Sequence, residues 1–457
     1  MEERIIQAIE AIVGAENIQT EATDLYTYGY DASPEFHHEP DLVVAPASKD
    51  EIIQILSVCR DNRVPIVARG SGSNLSGGTV PIAGGIVLLF TRMNRILEFD
   101  QQNLTLTVEP GVITQEINQY IADSGLFFPP DPGSMQISTI GGNISENSGG
   151  LRALKYGVTK DYVLGLEVVM ANGDVIETGG KLTKDVAGLN LTQLMIGSEG
   201  TLGIITKAIL KLMPKPEANK TMIATYRTMT AAAQSVSDII AAKITPATME
   251  FLDQVTIKAV EDFAHVGLPT DAAAMLLIQQ DGHPREIDAD IETMAAICRD
   301  GAAIDVQVAR DEAHGAQLMA ARRTALSALA RVKPTTVLED ATVPRSEIAA
   351  LVNFINETAQ KYQLYIGTFG HAGDGNMHPT CLTDLRDEAE MKRVHQAFAE
   401  IYQKTIELGG TVTGEHGVGL AKLPYLPWKL GAGGMRADRA IKAALDPDNI
   451  LNPQKLY

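Results

Sequence analysis

Several absences narrow the function of this chain before any motif is read. Its 457 residues include only three cysteines, Cys59, Cys298 and Cys381. They are odd in number and far apart, which excludes a disulfide framework or a CxxC metal site and suits reduced thiols. No apolar run approaches the ~18 residues that a membrane-spanning helix needs. The opening MEERIIQAIEAIVG carries no signal-peptide pattern and reads as an amphipathic helix ending at Gly14, so a cytoplasmic location is expected. Positive charge is also scarce, with 38 Lys and Arg against 57 Asp and Glu, a net −19. That balance argues against a nucleic-acid partner. An anionic substrate must instead be held by a few placed cations. There is no short-period repeat and no low-complexity tract.

The hydrophobic content, 45%, is that of a globular protein, and the length exceeds one ordinary core. Leu42–Ala45 reads as a strand closed by Pro46. Ser48 and Glu51 form a capping box for a helix running to about Asn62. Val64–Ala68 is the next strand. From Gly84 to Met213 the texture is β-rich, with Asn172-Gly173 as a two-residue hairpin turn between Val163–Met170 and Val175–Thr178. MPKPE (Met213–Glu217) is the candidate linker. Beyond it strands at Thr221–Tyr226, Ala247–Leu252, Met275–Gln280 and Ile304–Ala309 alternate with helices such as Thr230–Ala242. The pattern is α+β. The expected domains are 1–217, 218–436, and a segment 437–457 returning to the first, with a short helix from about Ala437 to Asp446.

Three glycine-rich segments crowd the first part. The first, Val67 to Gly78, reads VARGSGSNLSGG and follows a strand, as a phosphate-binding loop should. It is no Rossmann loop, because Leu75 holds the third-glycine position and the sequence beyond cannot be a helix. The second combines PPDPGS (Pro129–Ser134) with IGGNISENSGG (Ile140–Gly150). The third is IGSEGTLGII (Ile196–Ile205). One glycine loop is as well read as a surface turn. Three suggest an extended ligand of dinucleotide length lying against bare backbone.

Six histidines, at 37, 38, 265, 283, 314 and 395, are scattered and read as surface or structural. The other three sit in GHAGDGNMH (Gly370–His378) and TGEHGVG (Thr413–Gly419). A type I′ turn centred on Asp374-Gly375 would set His371 opposite His378, with Cβ atoms ~5 Å apart. Cys381 would face away. Glycines flanking Glu415 and His416 let both turn toward one site. Two imidazoles and a carboxylate leave an open coordination position, the pattern of a catalytic metal. Loop histidines bonded to backbone remain the alternative at this point.

The order ARGSGSNLSGG, PPDPGS, TIGGNISENSGG, IGSEGTLGIIT closely resembles the PCMH-type FAD domain of the vanillyl-alcohol oxidase superfamily. Within it the chain is similar to the branch of glycolate oxidase flavin subunits, D-lactate dehydrogenases and D-2-hydroxyglutarate dehydrogenases, over nearly its whole length. The resemblance implies a two-subdomain FAD-binding domain followed by an α+β substrate (cap) domain with an antiparallel sheet and helices. It implies that Arg69, Gly70, Ser71, Gly72, Ser73 and Asn74 cradle the pyrophosphate. Pro130, Asp131, Gly133, Ser134, Gly141, Gly142, Ser145, Asn147, Glu199, Ile204 and Asn452 would complete the FAD site. Relatives with covalent flavin often attach it to a histidine in the first loop. Ser71 and Ser73 stand there instead, so non-covalent FAD is expected.

The motifs HxGDGNxH and GEHG match this branch's metal and active-site segments. They imply His371, His378 and Glu415 as ligands of a divalent metal, Zn²⁺ foremost with Mn²⁺ or Fe²⁺ as alternatives, and His416 as the base. The implied reaction is oxidation of a small D-2-hydroxy acid, D-lactate or glycolate, to the 2-oxo acid, with hydride transfer to FAD. Arg322 of Met319–Arg323 lies where the family carries a substrate arginine, although Arg322 and Arg323 also read as a solvated helix face. Hydroxyglutarate-type members carry a lysine shortly before a segment represented here by Asp340–Pro344. This chain has Leu338 there, with Lys333 nearby, which leans away from a dicarboxylate. With no iron–sulfur motif of its own, the chain would pass electrons to an electron-transfer flavoprotein, an iron–sulfur subunit or a quinone. The rival readings are a metal-independent FAD alcohol or sugar oxidase, a transferase like alkyl-dihydroxyacetonephosphate synthase, and a non-catalytic carrier.

Overall fold

The computed structural model describes residues 1–456. The chain divides into two compact units. One comprises Met1–Gly149, Val158–Lys215 and Glu415–Tyr457, the other Gly150–Gly157 and Pro216–Gly414.

In the first unit, Leu42–Val44, Ile86–Leu89 and Ile66–Arg69 form a parallel sheet, with Ile18–Gln19 added antiparallel at one edge. Helices Glu3–Val13 and Lys49–Asn62 supply apolar stripes at helical spacing, Ile5, Ile9 and Val13 and then Ile52, Ile55, Leu56 and Cys59. These residues share one core with Leu42, Val44, Ile66, Ile86 and Leu88. An isolated helix of 11 residues is marginal in water, so burial of this stripe, about 1.5–3 kcal/mol for each large apolar side chain, is what holds Glu3–Val13. Gly14 ends the helix at φ 88°. Ser48 caps the second helix by accepting from the Glu51 N–H, while the Glu51 carboxylate reaches back to the N–H of Ala47.

A second, five-stranded antiparallel sheet runs Ile96–Asp100, Thr105–Val108, Ile204–Lys211, Val163–Val169, Val175–Gly179. The connection at Asn172-Gly173 is longer than the two residues expected. Met170 and Asp174 still pair, leaving Ala171–Gly173 as the loop, with Gly173 at φ 89°.

The second unit is built on an antiparallel sheet in the order Ala303–Val308, Ala218–Tyr226, Ala274–Gly282, Thr248–Asp253, Tyr365–His371, Asn376–Thr383, Thr335–Leu338. Helices Met229–Ala241, Gln254–Ala264, Pro284–Asp300 and Ile348–Tyr362 pack against it.

The unit limits differ from the expected 217/218 and 436/437. Residues 415–436 group with the first unit because the Val418 and Gly419 amides bind the Glu199 carboxylate and those of Leu420 and Ala421 bind the Ser76 carbonyl. Residues 150–157 group with the second, where the Tyr156 hydroxyl donates to Asp281 at 2.8 Å. The last helix spans Leu426–Leu445, broken at Gly431 (φ 64°, ψ 175°), and so begins well before Ala437. Its run of glycines hides it from a propensity reading. No helix among the described residues is long and apolar enough to cross a membrane.

Candidate functional site

The flavin side lies in the first unit. Strand Ile66–Arg69 ends where the first glycine loop begins. A Cβ on Gly70 would stand 2.1 Å from Thr139 Oγ1, and Gly72 adopts φ 68°, so neither position accepts a larger residue without movement. Ser71 donates to the Ile137 carbonyl, joining the first loop to the second. The side chains of Arg69 and Asn74 hold the loop from behind. Arg69 donates to the Tyr30 carbonyl at 2.7 Å, and Asn74 donates to Asp31 at 2.6 Å. The loop therefore offers a ligand mainly its backbone.

The second segment forms the short helix Ile140–Glu146, capped by Thr139, with Asn147 left-handed at its end (φ 54°). Ser145 is turned back onto the Gly141 carbonyl at 2.8 Å. The third segment is hydrogen-bonded to the second, the Gly197 amide to the Ile144 carbonyl and the Glu199 amide to the Ser145 carbonyl. Asp131 is buried, Gly133 and Ser134 are not, and a Cβ on Gly133 would meet nothing within 4 Å. Ile204 belongs to the apolar core. Asn452 closes the set by donating to the carbonyls of Gly78 at 3.0 Å and Glu199 at 2.7 Å. All seventeen residues expected around FAD thus lie in the first unit. The bare backbone at Gly70 and Gly142, which share Thr139 as a neighbour, fits a phosphate-bearing cofactor.

Two acids behind these loops escaped the sequence reading of the site. Glu199 accepts the amides of Val418 (2.6 Å) and Gly419 (2.8 Å), just after His416. A Cβ on Gly417 would stand 2.0 Å from Glu146 Oε2 and 3.0 Å from Glu199 Oε1. Burial, and for Glu146 the neighbouring Glu199 charge, pushes both carboxyls above their ordinary range. Glu146 and Glu199 therefore clasp the glycines that follow GEH. Glu146 sits inside the IGGNISENSGG motif, but nothing in its spacing signals a partner some 270 residues on.

In the second unit the hairpin differs from the expected register. His371 faces Asn376, and His378 faces Phe369. The loop is Ala372–Gly375, because the Asp374 and Gly375 amides both bond the His371 carbonyl. Gly375 sits at φ 91° with no room for a Cβ beneath the Val343 carbonyl, 2.0 Å away. A shift of two residues preserves parity, so both imidazoles stay on one side of the ribbon. Their ring centroids are 5.2 Å apart. Cys381 is buried, and burial pushes its thiol up to about 12.

The sequence reading missed two carboxylates near the imidazoles, of which one, Glu250, is hydrogen-bonded to its ring. His371 Nδ1 lies 2.7 Å from Glu250 Oε1, and His378 Nδ1 faces Asp340 Oδ1 at 3.8 Å. Asp340 also accepts the Thr413 hydroxyl (2.7 Å) and the Gly414 amide (2.8 Å), immediately before Glu415. For His371, the carboxylate behind Nδ1 leaves Nε2 as the nitrogen for a metal and raises its basicity. This donor chemistry fits a divalent cation. Glu415 and His416 open the final segment of the first unit.

Arg322 is buried at the end of helix Glu312–Arg323, which excludes the solvated-face reading for its side chain. It is ion-paired with Glu250 and lies over the Phe369 ring at 4.7 Å. Burial alone would raise the Glu250 carboxyl. The Arg322 charge and the His371 ring outweigh it and hold the group below its ordinary range. Lys333 is engaged elsewhere, 3.0 Å from Glu390.

With this geometry in view, the comparisons with known proteins are decisive for the family. The profile "FAD linked oxidases, C-terminal domain" matches residues 215–456, and an FAD binding domain profile matches residues 40–179. The chain belongs to the FAD-linked oxidase family. It is 61% identical over 457 residues to the glycolate oxidase subunit GlcD of Bacillus subtilis, covering 100% of this chain and 96% of that protein. The Escherichia coli K12 protein of the same name is 36% identical, covering 98% and 89%. A D-lactate dehydrogenase of Anaerostipes hadrus is 34% identical, covering 91% and 89%. Among solved structures, p-cresol methylhydroxylase aligns with a TM-score of 0.84 at 19% identity, covering 99% of this chain and 96% of that one. Alkyldihydroxyacetonephosphate synthase aligns at 0.79 and 20%, covering 100% and 86%. The last two show the fold, which is the PCMH-type α+β architecture read from the glycine motifs. They do not discriminate oxidase from transferase.

Proposed function

We propose that this FAD-linked oxidase dehydrogenates a small D-2-hydroxy acid, glycolate or D-lactate, to the 2-oxo acid. The observation that carries the reading is the pair of facing imidazoles, His371 and His378, the first bonded to the Glu250 carboxylate that also pairs with the buried Arg322. His371 and His378 with Glu415 would hold a divalent metal, Zn²⁺ in the first instance. The three glycine loops, with Asn452 behind them, would hold FAD without a covalent bond, mainly through their backbone. Held there, FAD would supply a hydride acceptor for the C2 hydrogen, and a divalent metal would supply a Lewis acid that favours ionisation of the substrate hydroxyl. Arg322 supplies the cation for the substrate carboxylate, with guanidinium hydrogens beyond the one committed to Glu250. His416 takes the hydroxyl proton.

A short monocarboxylate is favoured because Leu338 is buried and Lys333 is paired with Glu390, leaving neither as a second carboxylate's partner. The similar proteins named as glycolate oxidase subunits support electron transfer to a partner protein, with a quinone as the other acceptor class. Three buried free cysteines suit a reducing compartment, and we place the protein in the cytoplasm.

The test is anaerobic mixing of the flavin-loaded protein with D- and L-hydroxy acids while the visible absorbance is followed. Bleaching by glycolate or D-lactate, with 2-oxo acid formed in equal amount, is expected. A flavin that stays oxidised with every acid would reject dehydrogenation in favour of the transferase or carrier readings.

A further inference from the structure

Glu250 occupies the middle of strand Thr248–Asp253 and is 0% exposed. Phe251 pairs with Gly370 and Leu252 with Phe369 across the antiparallel ladder. Continuing that register by one residue sets Glu250 against His371, so the backbone itself delivers the carboxylate to the imidazole. One oxygen, Oε1, lies 2.7 Å from His371 Nδ1, and the other, Oε2, is ion-paired with Arg322. Arg322 is buried as well, and its Nε has no hydrogen-bond partner in the described structure. A single carboxylate thus has one end on an expected metal ligand and the other on the expected substrate arginine.

We infer that Glu250 is a positioning residue for His371, which it fixes through one oxygen, and through the other the charge partner that balances the buried Arg322. The inference rests on the function proposed above. By accepting a hydrogen bond from Nδ1–H, Glu250 selects the tautomer whose Nε2 lone pair is presented to a cation. By occupying one edge of the guanidinium, it balances a buried charge and leaves the remaining donors for an incoming carboxylate. The two roles respond oppositely when the Glu250 charge is removed. Metal binding weakens, because the imidazole loses its backing. Substrate binding does not weaken, because Arg322 loses a competing carboxylate.

The test measures Mn²⁺ binding by calorimetry on flavin-loaded, chelator-treated full chain, with KM for glycolate at saturating Mn²⁺. Glu250→Gln should weaken Mn²⁺ binding roughly 10–100-fold, as loss of a supporting carboxylate does, with KM unchanged or lowered. Glu250→Gln strands Arg322, so the double variant Glu250→Gln with Arg322→Met is measured alongside. It removes both charges and should retain FAD yet bind Mn²⁺ as weakly as the single variant. Wild-type-like Mn²⁺ affinity in the double variant overturns the inference, as does a KM that rises in step with the Mn²⁺ dissociation constant in Glu250→Gln. Wild-type protein that binds no Mn²⁺ or Zn²⁺ defeats the metal reading itself, whatever the variants do.

Discussion

Phe369 and His378 stand directly opposite each other on neighbouring strands, with ring centroids 5.4 Å apart. The Arg322 guanidinium lies over the same phenyl ring, 4.7 Å from its centre. Phe369 is therefore a shelf on which a candidate metal ligand and the candidate substrate arginine both rest. Arg322→Met should raise KM for the acid about 10–100-fold, the worth of a charge-assisted contact of ~1.5–3 kcal/mol, with FAD content little changed. Phe369→Leu should raise KM in the same direction by less, since a cation–π contact contributes about 0.5–2 kcal/mol. Steady-state kinetics with flavin quantitation decide this. Unaltered kinetics in Arg322→Met would remove it from the substrate site.

Flavin should be released by acid precipitation. Ser71 and Ser73 stand in the first loop where a histidine would attach it. Cysteine attachment is disfavoured too, because burial pushes the Cys59 thiol up to about 12 and raises that of Cys298. Yellow colour remaining in the pellet would show a covalent bond.

Glu415 and His416 are neighbours that should fail differently. Glu415→Gln, His371→Ala and His378→Ala each delete a proposed ligand and should lower metal content, with partial rescue by excess Zn²⁺ or Mn²⁺. His416→Gln should keep metal and FAD but lose about 10²–10⁴-fold in kcat, the usual contribution of a general base. Its residual rate should climb with pH as hydroxide substitutes. Metal analysis on the four variants is the check. Metal lost from His416→Gln but kept by Glu415→Gln would reverse the two roles.

These residues also show how far the sequence could be read. Glycine loops, caps and apolar stripes are local, and the structure brings the three loops together as their order implied. Asp374-Gly375 announced a hairpin, but a two-residue turn was one of several loops that this pair allows. The four-residue loop shifted the register by two and kept the imidazoles on one face, because side chains alternate with period two. The carboxylates behind them were not legible. Glu250 is 121 residues from His371, and no spacing rule connects them. The division after Gly414 was hidden for the same reason, being set by Glu199 reaching the Val418 and Gly419 amides.

Lys455 gives a pH signature. Burial lowers its pKa from 10.5 to about 8, although Glu199, Asp31 and Glu146 oppose the shift. Between about pH 8 and 10.5 the unfolded chain holds a proton on this lysine that the native state has lost, so stability rises with pH across that window. Lys455→Met lacks the titration. Urea unfolding at both ends of the window should show wild type gaining up to about 3 kcal/mol relative to the variant. Parallel pH profiles would show that Lys455 keeps an ordinary pKa.

Metal-assisted hydride transfer from a 2-hydroxy acid to FAD is the proposal from which the other predictions follow. Its most direct measurement is anaerobic reduction of the bound flavin by glycolate and D-lactate in three states of one preparation: as purified, after chelation, and after Zn²⁺ or Mn²⁺ is restored. Rapid bleaching, loss of most of the rate on chelation with FAD retained, and recovery with metal are expected. Bleaching at an unchanged rate in chelated protein shown to be metal-free would rule out a role for the metal in hydride transfer.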